Sequence, residues 1–386
     1  MESSTNKPAR GLNWLLQNPI SDTISTSLEL VADVLVGKPN KLSRSRAHDS
    51  LRLPEDLFAQ TDAQTEWWYY TGHCETAAGR RFAFEFVFFQ RRTDNDLAWV
   101  IPIRLLANPM YAAHFAIADI DRKSFRYLDK RSHTPPFFQE SGAALDKFEL
   151  QLGDWRISGD AEIHSLEAGL DRELEFSAEL RPIKPYVKNG HQYPDSESST
   201  HFSCTRMEIN GEIRDGGLRE SFTGTGWMDR EFGTWFQRKW DWFSIQLDND
   251  CELMIYRIWD ESGTSDRSHG TFVDAAGKPR FFTFEDFEVT ATGKWKSPRT
   301  GTVYPSGWKV YLNDPEIEIE VTPLLKDQEL NTEDTTMVIY WEGVSEVTGT
   351  FENKDVKGNA FVELVGYTEG YQQPSLFRML VGTIKG

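Results

Sequence analysis

The sequence has little cysteine and no long apolar run. Its three cysteines, Cys74, Cys204 and Cys251, are odd in number and widely spaced, which argues against a disulfide framework and a zinc knuckle. No segment approaches the roughly 18 consecutive apolar residues of a transmembrane helix. The N-terminus also lacks the basic and apolar segments of a signal peptide. We therefore expect a cytoplasmic protein without a signal peptide.

Positive charge is also scarce. Lysine and arginine number 42 against 60 aspartates and glutamates, so the formal net charge is -18. Such a surface repels phosphate backbones and anionic headgroups, which argues against nucleic acid as a partner. The HExxH, EF-hand, Walker and GxSxG motifs are missing, and no GxGxxG occurs in a βαβ context. We therefore predict no metal and no cofactor.

Aromatic residues are abundant, with 13 Trp, 25 Phe and 12 Tyr. In the run from Arg81 to Phe89, phenylalanine occupies every second position, so these rings share one face of a predicted strand. Similar short alternating runs, separated by Gly, Pro, Asn and Asp, continue from about residue 64 onward. The helical stretches that a parallel βαβ fold needs are missing. The pattern predicts an all-β protein.

The length of 386 residues exceeds what one core usually serves, so we expect two domains. The segment 181–200 is rich in Pro, Gly and Ser and is interpreted as a loop near their junction. Closing strands into barrels removes exposed edges and leaves an interior that holds a small ligand. We predict two antiparallel β-barrels packed side by side, over residues 51–190 and 191–386, after a helical extension over 1–50.

The extension contains one predicted amphipathic helix. Its apolar residues recur at helical spacing and end at Gly37: Ile24, Leu28, Val31 and Leu35. The polar side carries acids such as Glu29 and Asp33 rather than the lysines of a membrane-binding helix. We therefore favour docking on the body of the protein over contact with a membrane.

Two aromatic segments contain candidate catalytic acids. Glu66 precedes Trp67 and Tyr69 in TEWWYYTGH, where alternation sends the two rings to one face of a strand. In GTGWMDREFGTW, Asp229 and Glu231 point one way and Arg230 the other. Burial in an apolar pocket raises the pKa of an acid, which suits it to proton donation. The alternatives are a barrel-closing strand packed by its rings and an Arg–carboxylate bridge between domains.

Further candidates lie in other predicted strands. The pattern favours His114 as a core histidine over a catalytic one, and Glu342 is a candidate buried acid. Rings that we expect toward the cavity are Trp227, Tyr256 and Tyr340.

Several motifs together resemble the AttH-like, lipocalin-like family that includes carotenoid hydratases of the hydroxyneurosporene synthase type. From about Leu53 to Tyr367 they are EWWYYTGH, RRFAFEFVFF, AAHFAIAD, GWMDREFG, DWFSIQLD, PLLKDQEL, YWEG and FVELVGY. The resemblance implies two joined lipocalin-like barrels. It also implies long apolar ligands, with hydration of an isoprenoid double bond or cyclisation of a polyene in relatives.

One position departs from the hydratases of this family. Their stretch after the aspartate that matches Asp229 resembles Asp-His-x-Trp, with the His and Trp implicated in activity, whereas this chain has Arg230 and Phe232. Arginine does not exchange protons near neutral pH, so the departure argues against carotenoid hydration.

The leading hypothesis is a cofactor-independent enzyme for an isoprenoid, carotenoid or polyene-like substrate. Asp229 or Glu231 donates the proton, Arg230 tunes that acid, and Glu66 is a fourth catalytic candidate. Substrate-binding candidates are Trp67, Tyr69, His114, Trp227, Phe232, Tyr256, Tyr340 and Glu342. The alternative is a non-catalytic carrier of a pigment or lipid, and a hydrolase is the least supported reading. Transient contact with a membrane for substrate delivery stays open.

Overall fold

The computed structural model describes residues 19–36, 38–41, 50–98, 100–132, 142–170, 172–190, 199–234, 239–260 and 263–368. The parts of the predicted extension and of the predicted junction loop that fall on residues 1–18, 42–49 and 191–198 lie outside these ranges.

The N-terminal strands form one large antiparallel sheet and one separate two-stranded ribbon. They are β1 (Thr65–Thr76), β2 (Arg81–Arg91), β3 (Leu97–Ala98), β4 (Ile101–Pro102), β5 (Met110–Asp119), β6 (Ser124–Arg131), β7 (Gly142–Ala143), β8 (Phe148–Leu152), β9 (Trp155–Gly159), β10 (His164–Leu170), β11 (Leu174–Pro182), β12 (Val187–Lys188), β13 (Ser199–Asp215) and β14 (Leu218–Gly233). The order is β6-β5-β2-β1-β14-β13-β11-β10-β9-β8-β7, with β12 on β13 and β3–β4 as a separate ribbon. Short 3₁₀ helices cover Glu55–Leu57 and Ile103–Leu105.

Alternation along the strands builds the first core. The alternate phenylalanines of β2, from Phe82 to Phe88, are buried together with Trp68 and Tyr70 of β1. Six strands separate β6 and β10 in the sheet order, yet these two strands contact each other. The sheet is therefore curled. Burying one face of each strand in this curl produces a half-barrel filled by side chains.

The remaining strands form a second antiparallel sheet. They are β15 (Trp240–Leu247), β16 (Glu252–Asp260), β17 (Gly263–Thr264), β18 (His269–Val273), β19 (Pro279–Thr283), β20 (Phe287–Ala291), β21 (Lys294–Lys296), β22 (Val303–Pro305), β23 (Trp308–Leu312), β24 (Ile317–Pro323), β25 (Glu329–Thr332), β26 (Val338–Phe351) and β27 (Lys354–Val365). The order is β19-β18-β16-β15-β27-β26-β24-β23-β20, with β17 on β16, β25 on β26 and β21–β22 as a ribbon. Its own core includes Phe243, Trp308 and Trp341.

The all-β, lipocalin-like prediction is confirmed, and each sheet is a curled half-barrel. The predicted boundary between residues 190 and 191 does not coincide with the division between the sheets. β13 and β14 belong to the first sheet, and the second begins at Trp240. The Pro- and Gly-rich segment lies between strands of one sheet, since β13 pairs with both β11 and β12.

The N-terminal helix, α1 (Pro19–Val36), docks through its acids. Arg104 binds Glu29 Oε2 at 2.5 Å and Asp33 Oδ1 at 2.7 Å. The apolar residues Val31 and Leu35 instead remain 47% and 59% exposed. The helix therefore lies on the body as expected, held by these ion pairs and by the buried Ala32, while Val31 and Leu35 of the apolar stripe stay exposed. Among the described residues, no helix is long and apolar enough to cross a membrane.

Candidate functional site

The main aromatic cavity lies between the two half-barrels and not inside either of them. On β1, Trp68 and Tyr70 belong to the first core, whereas Trp67 and Tyr69 emerge on the opposite face. On β27, Val362 and Leu364 belong to the second core, which leaves Glu363 on the opposite face. The outward faces of the sheets meet there. This corrects the expectation of a ligand cavity in the interior of one barrel.

The intersheet cavity has a volume of about 230 Å³. Its wall is mainly aromatic: Trp67, Tyr69, Tyr111, Trp240, Trp242, Tyr256 and Tyr340. Its ionisable groups are Arg91, His114, Arg131, His201, Asp229, Glu231 and Glu363. Several carboxyl groups thus face a largely aromatic, apolar chamber.

Strand register gathers one group of these residues from three neighbouring strands. Trp67 and His201 both pair with Glu231, one on each side of β14. In the next inward-facing row, Tyr69 and Ser203 both pair with Asp229. Side chains directly opposite each other in a sheet lie close together. The register therefore fixes a compact acid–imidazole group that no short sequence motif reveals.

Asp229 accepts three hydrogen bonds. His201 Nε2 lies 3.0 Å from Asp229 Oδ2, Trp227 Nε1 donates to Oδ1 at 2.7 Å, and the Ser203 hydroxyl donates to the same oxygen. These hydrogen bonds fix the orientation of the Asp229 carboxyl group. Asp229 is therefore placed to orient the ring of His201.

The two neighbours of Asp229 have displaced pKa values. Burial lowers the pKa of His201, but the charge and hydrogen bond of Asp229, together with Glu231, outweigh burial and raise it above the usual value. Burial raises the pKa of Glu231, against the opposing charge of His201. A buried acid and a buried imidazole that both hold protons more tightly than in water are suited to proton transfer.

Glu363 faces this group from the second sheet. Trp240 Nε1 donates a 2.7 Å hydrogen bond to Glu363 Oε2. Burial raises the pKa of Glu363 to about 7, with further contributions from the negative charges of Asp229 and Glu231. A carboxyl group with this pKa is partly protonated near neutral pH, the condition for a general acid.

A second layer of acids lies behind the tyrosines. Tyr69 donates to Glu342 Oε1 at 2.7 Å, and Tyr340 donates to Glu85 Oε1 at 3.1 Å. Burial raises the pKa of both carboxyl groups well above the usual range. His114 Nδ1 lies 2.9 Å from the Tyr340 hydroxyl. Burial lowers the pKa of His114 to about 3, so this histidine is neutral and is not a proton donor.

Three predicted site residues lie on the strand faces that point away from the intersheet cavity. Arg230, Glu66 and Phe232 point into the first half-barrel, because β1 and β14 alternate. Arg230 Nη2 binds Glu66 Oε2 at 2.5 Å, and its guanidinium lies 3.8 Å from the Trp68 ring centre and 4.8 Å from that of Phe232. Arg230 therefore pairs with Glu66 and not with Asp229, and its charge opposes the rise that burial causes in the pKa of Glu231.

Most other predicted residues do lie at the cavity. Trp67, Tyr69, His114, Asp229, Glu231, Tyr256 and Tyr340 line it. Trp227 and Glu342 stand one layer back, bonded to Asp229 and Tyr69. Sequence reasoning missed His201, Glu363 and Trp240 as site residues. For Glu363 a signal exists, because an acid at the centre of the apolar run FVELV must face away from the core. His201 carries no such signal.

Among the described residues, no group of three or more His, Cys, Asp or Glu side chains is arranged to hold a metal ion.

The fold and the site define a protein of two lipocalin-like half-barrels with an acidic, aromatic cavity between them. The chain belongs to the AttH-like family, whose model matches residues 44–367. The family resemblance drawn from the motifs is thereby confirmed.

Solved structures share this architecture. A crystal structure assigned to AttH from Nitrosomonas europaea is 26% identical, with a TM-score of 0.72, and the match covers 85% of this chain and 100% of that one. Kievitone hydratase from Nectria haematococca is 14% identical, with a TM-score of 0.66, over 86% and 98%. CghA is 12% identical, with a TM-score of 0.50, over 87% and 99%. Comparison with curated proteins finds no match.

Proposed function

We propose that this protein is an enzyme of the hydratase, lyase or isomerase type that protonates an apolar, isoprenoid- or polyene-like substrate in the intersheet cavity. The observation that carries the proposal is the Glu363 carboxyl group. It lines an aromatic cavity, is held by Trp240 and has a pKa of about 7. A protonated acid beside an apolar ligand supplies the proton that a carbon–carbon double bond needs.

The aromatic wall supports the step that follows protonation. Adding a proton to one carbon of a double bond leaves a carbocation on the other. The faces of aromatic rings attract positive charge, and Trp67, Trp242 and Tyr256 line the cavity around Glu363. Apolar rings around a charge also lower the local dielectric constant, which strengthens the charge interactions inside the cavity.

Two outcomes are open to such a cation. In hydration, water bonds to the cation and passes a proton to Glu231 or to His201, which Asp229 orients. In cyclisation, a second double bond of the same chain attacks the cation and a proton returns to the protein. Holding a flexible chain in a reactive pose lowers the barrier in both cases.

Arg230 and Phe232 replace the His and Trp of the hydratase pattern. This replacement argues against the proposal less strongly than the sequence alone suggests. Both side chains point into the first half-barrel, so these replacements do not remove a proton donor from the cavity wall of this chain. The hydratase among the structural neighbours shares the fold, and we carry its type of reaction to this chain only as part of the proposal.

The test begins with compounds that the protein retains. Extracts of the purified protein are analysed by absorbance and mass spectrometry to identify a retained compound. This compound and a panel of isoprenoid alkenes and polyenes are then incubated with the enzyme. Hydration adds the mass of one water, and cyclisation gives an isomer with new retention. Recovery of every compound unchanged, despite tight binding, would replace the proposal with a non-catalytic carrier of a pigment or lipid.

A further inference from the structure

The second half-barrel has a cavity of its own at one open end. We call it the cup and define it by Lys239, Trp259, Tyr304, Trp308 and Tyr367, which line a volume of about 620 Å³. The cup and the intersheet cavity share strands but use opposite faces.

Strand alternation keeps the two cavities separate. On β15, Trp240 and Trp242 line the intersheet cavity, whereas Asp241 faces the cup. On β16, Tyr256 lines the intersheet cavity and Arg257 lines the cup. Successive side chains of a strand point to opposite faces. A ligand in the cup is therefore separated from the acids of the intersheet cavity by the sheet itself.

The cup carries an excess of positive charge in a chain whose net charge is -18. Lys239 Nζ lies 3.9 Å from the ring centre of Tyr367 and 4.7 Å from that of Trp259. Among the described residues, Asp241 is the one acid that lines the cup, beside the cationic Lys239, Arg257 and the exposed Lys294. Arg257 lies 3.4 Å from Asp241, whose charge also acts on Lys239. The cup therefore keeps two positive charges in excess, which suits it to an anion.

A buried donor points to the same kind of ligand. Trp308 lines the cup and is 1% exposed, and its Nε1 has no hydrogen-bond partner within the described part of the chain. A buried N–H without an acceptor costs free energy, so such groups in native proteins usually have a partner. Lysine ammonium and indole N–H groups only donate, and an anion only accepts.

We infer that the cup is a second binding site, for a small organic anion with an aromatic or otherwise apolar body. The carboxylate or phosphate head contacts Lys239 and Lys294 and accepts a hydrogen bond from Trp308 Nε1. The body packs against Trp259, Tyr304 and Tyr367. The inference does not depend on the proposed function, since no residue of the cup lines the intersheet cavity.

Two related fluorescent probes test this inference. 1-Anilinonaphthalene-8-sulfonate is an aromatic anion, and N-phenyl-1-naphthylamine is its neutral counterpart. We expect Lys239→Gln and Lys294→Gln each to weaken binding of the anionic probe about tenfold, the effect of losing one charge-assisted hydrogen bond. Binding of the neutral probe stays unchanged, and Lys239→Arg restores the anionic probe. Competition by benzoate against phenyl phosphate identifies the preferred head group.

Two controls locate the probes. Lys309→Gln removes an exposed lysine of β23 that pairs with Glu320, and it leaves both affinities unchanged. Trp67→Leu alters the intersheet cavity and weakens only the neutral probe. The inference is overturned if the anionic probe binds equally well to Lys239→Gln and Lys294→Gln, or if Trp67→Leu removes its binding.

Discussion

Trp240 Nε1 donates a 2.7 Å hydrogen bond to the carboxyl group of Glu363. The two residues lie on adjacent strands, β15 and β27, and both face the intersheet cavity. The indole N–H supplies one hydrogen bond to the acid, but burial raises the pKa of Glu363 by more than this hydrogen bond lowers it. This contact therefore anchors the carboxyl group without providing the several donors that would hold it ionised.

Glu363→Gln should stabilise the fold at alkaline pH. The pKa of Glu363 rises from 4.5 to about 7 on folding, so its favourable contribution is complete below pH 4.5 and is lost as the pH rises through 7. An amide has no charge to bury. We expect the variant to gain up to roughly 3 kcal/mol in free energy of unfolding above pH 7 and nothing below pH 4.5. Urea denaturation across this range measures the gain, and equal stability at all pH values would refute the displaced pKa.

The pH dependence of turnover should follow the same group. A general acid must be protonated, so the rate falls as the pH rises through about 7, the pKa of Glu363. Steady-state rates measured across this region should fall about tenfold per pH unit on the alkaline side. A rate that stays level through this region would exclude Glu363 as the donor.

Asp229→Asn should lower the pKa of His201 below its usual value. The negative charge of Asp229 is what opposes burial at His201, and burial alone lowers the pKa of His114 to about 3. Titration of the histidine ring signals by NMR measures the change. Ser203→Ala, which leaves the charge of Asp229 in place, is the matched control. An unchanged His201 titration in Asp229→Asn would contradict the assigned pair.

Arg230→Met should destabilise the protein and leave the cavity intact. The change leaves Glu66 buried without its ionic partner, and breaking a buried pair in this way costs about 3–5 kcal/mol. Urea denaturation measures the loss, and Arg181→Met, at an exposed pair with Glu179, should cost less than about 1 kcal/mol. If Arg230→Met had normal stability but no longer bound N-phenyl-1-naphthylamine, Arg230 would belong to the ligand site of the intersheet cavity.

The sequence supports prediction of the strands and of which residues share a face. Alternation correctly separates Trp67 and Tyr69 from Glu66, and Asp229 and Glu231 from Arg230. It does not indicate which face meets the ligand, because both faces of β1 are aromatic and buried. The expectation that the cavity lies inside a barrel therefore had no local signal against it.

Long-range pairing brings together the site contacts that the sequence does not predict. His201 joins the site only through the register of β13 with β14, and Glu363 joins it from the opposite sheet. Arg230 pairs with Glu66, which lies 164 residues away in the sequence, although Asp229 and Glu231 are its direct neighbours in the sequence. Such contacts follow from how the two sheets pack and not from any short segment.

The most direct test of the central claim is incorporation of deuterium from D₂O into a substrate or retained ligand, followed by mass spectrometry. Wild type and Glu363→Gln are compared with Glu346→Gln, which alters an exposed acid of β26. We expect one carbon-bound deuterium per product molecule for wild type and Glu346→Gln. For Glu363→Gln we expect the rate of incorporation to be lower by about 10²- to 10⁴-fold. Equal incorporation by Glu363→Gln, or none by wild type on any compound that the cavity binds, would contradict the central claim.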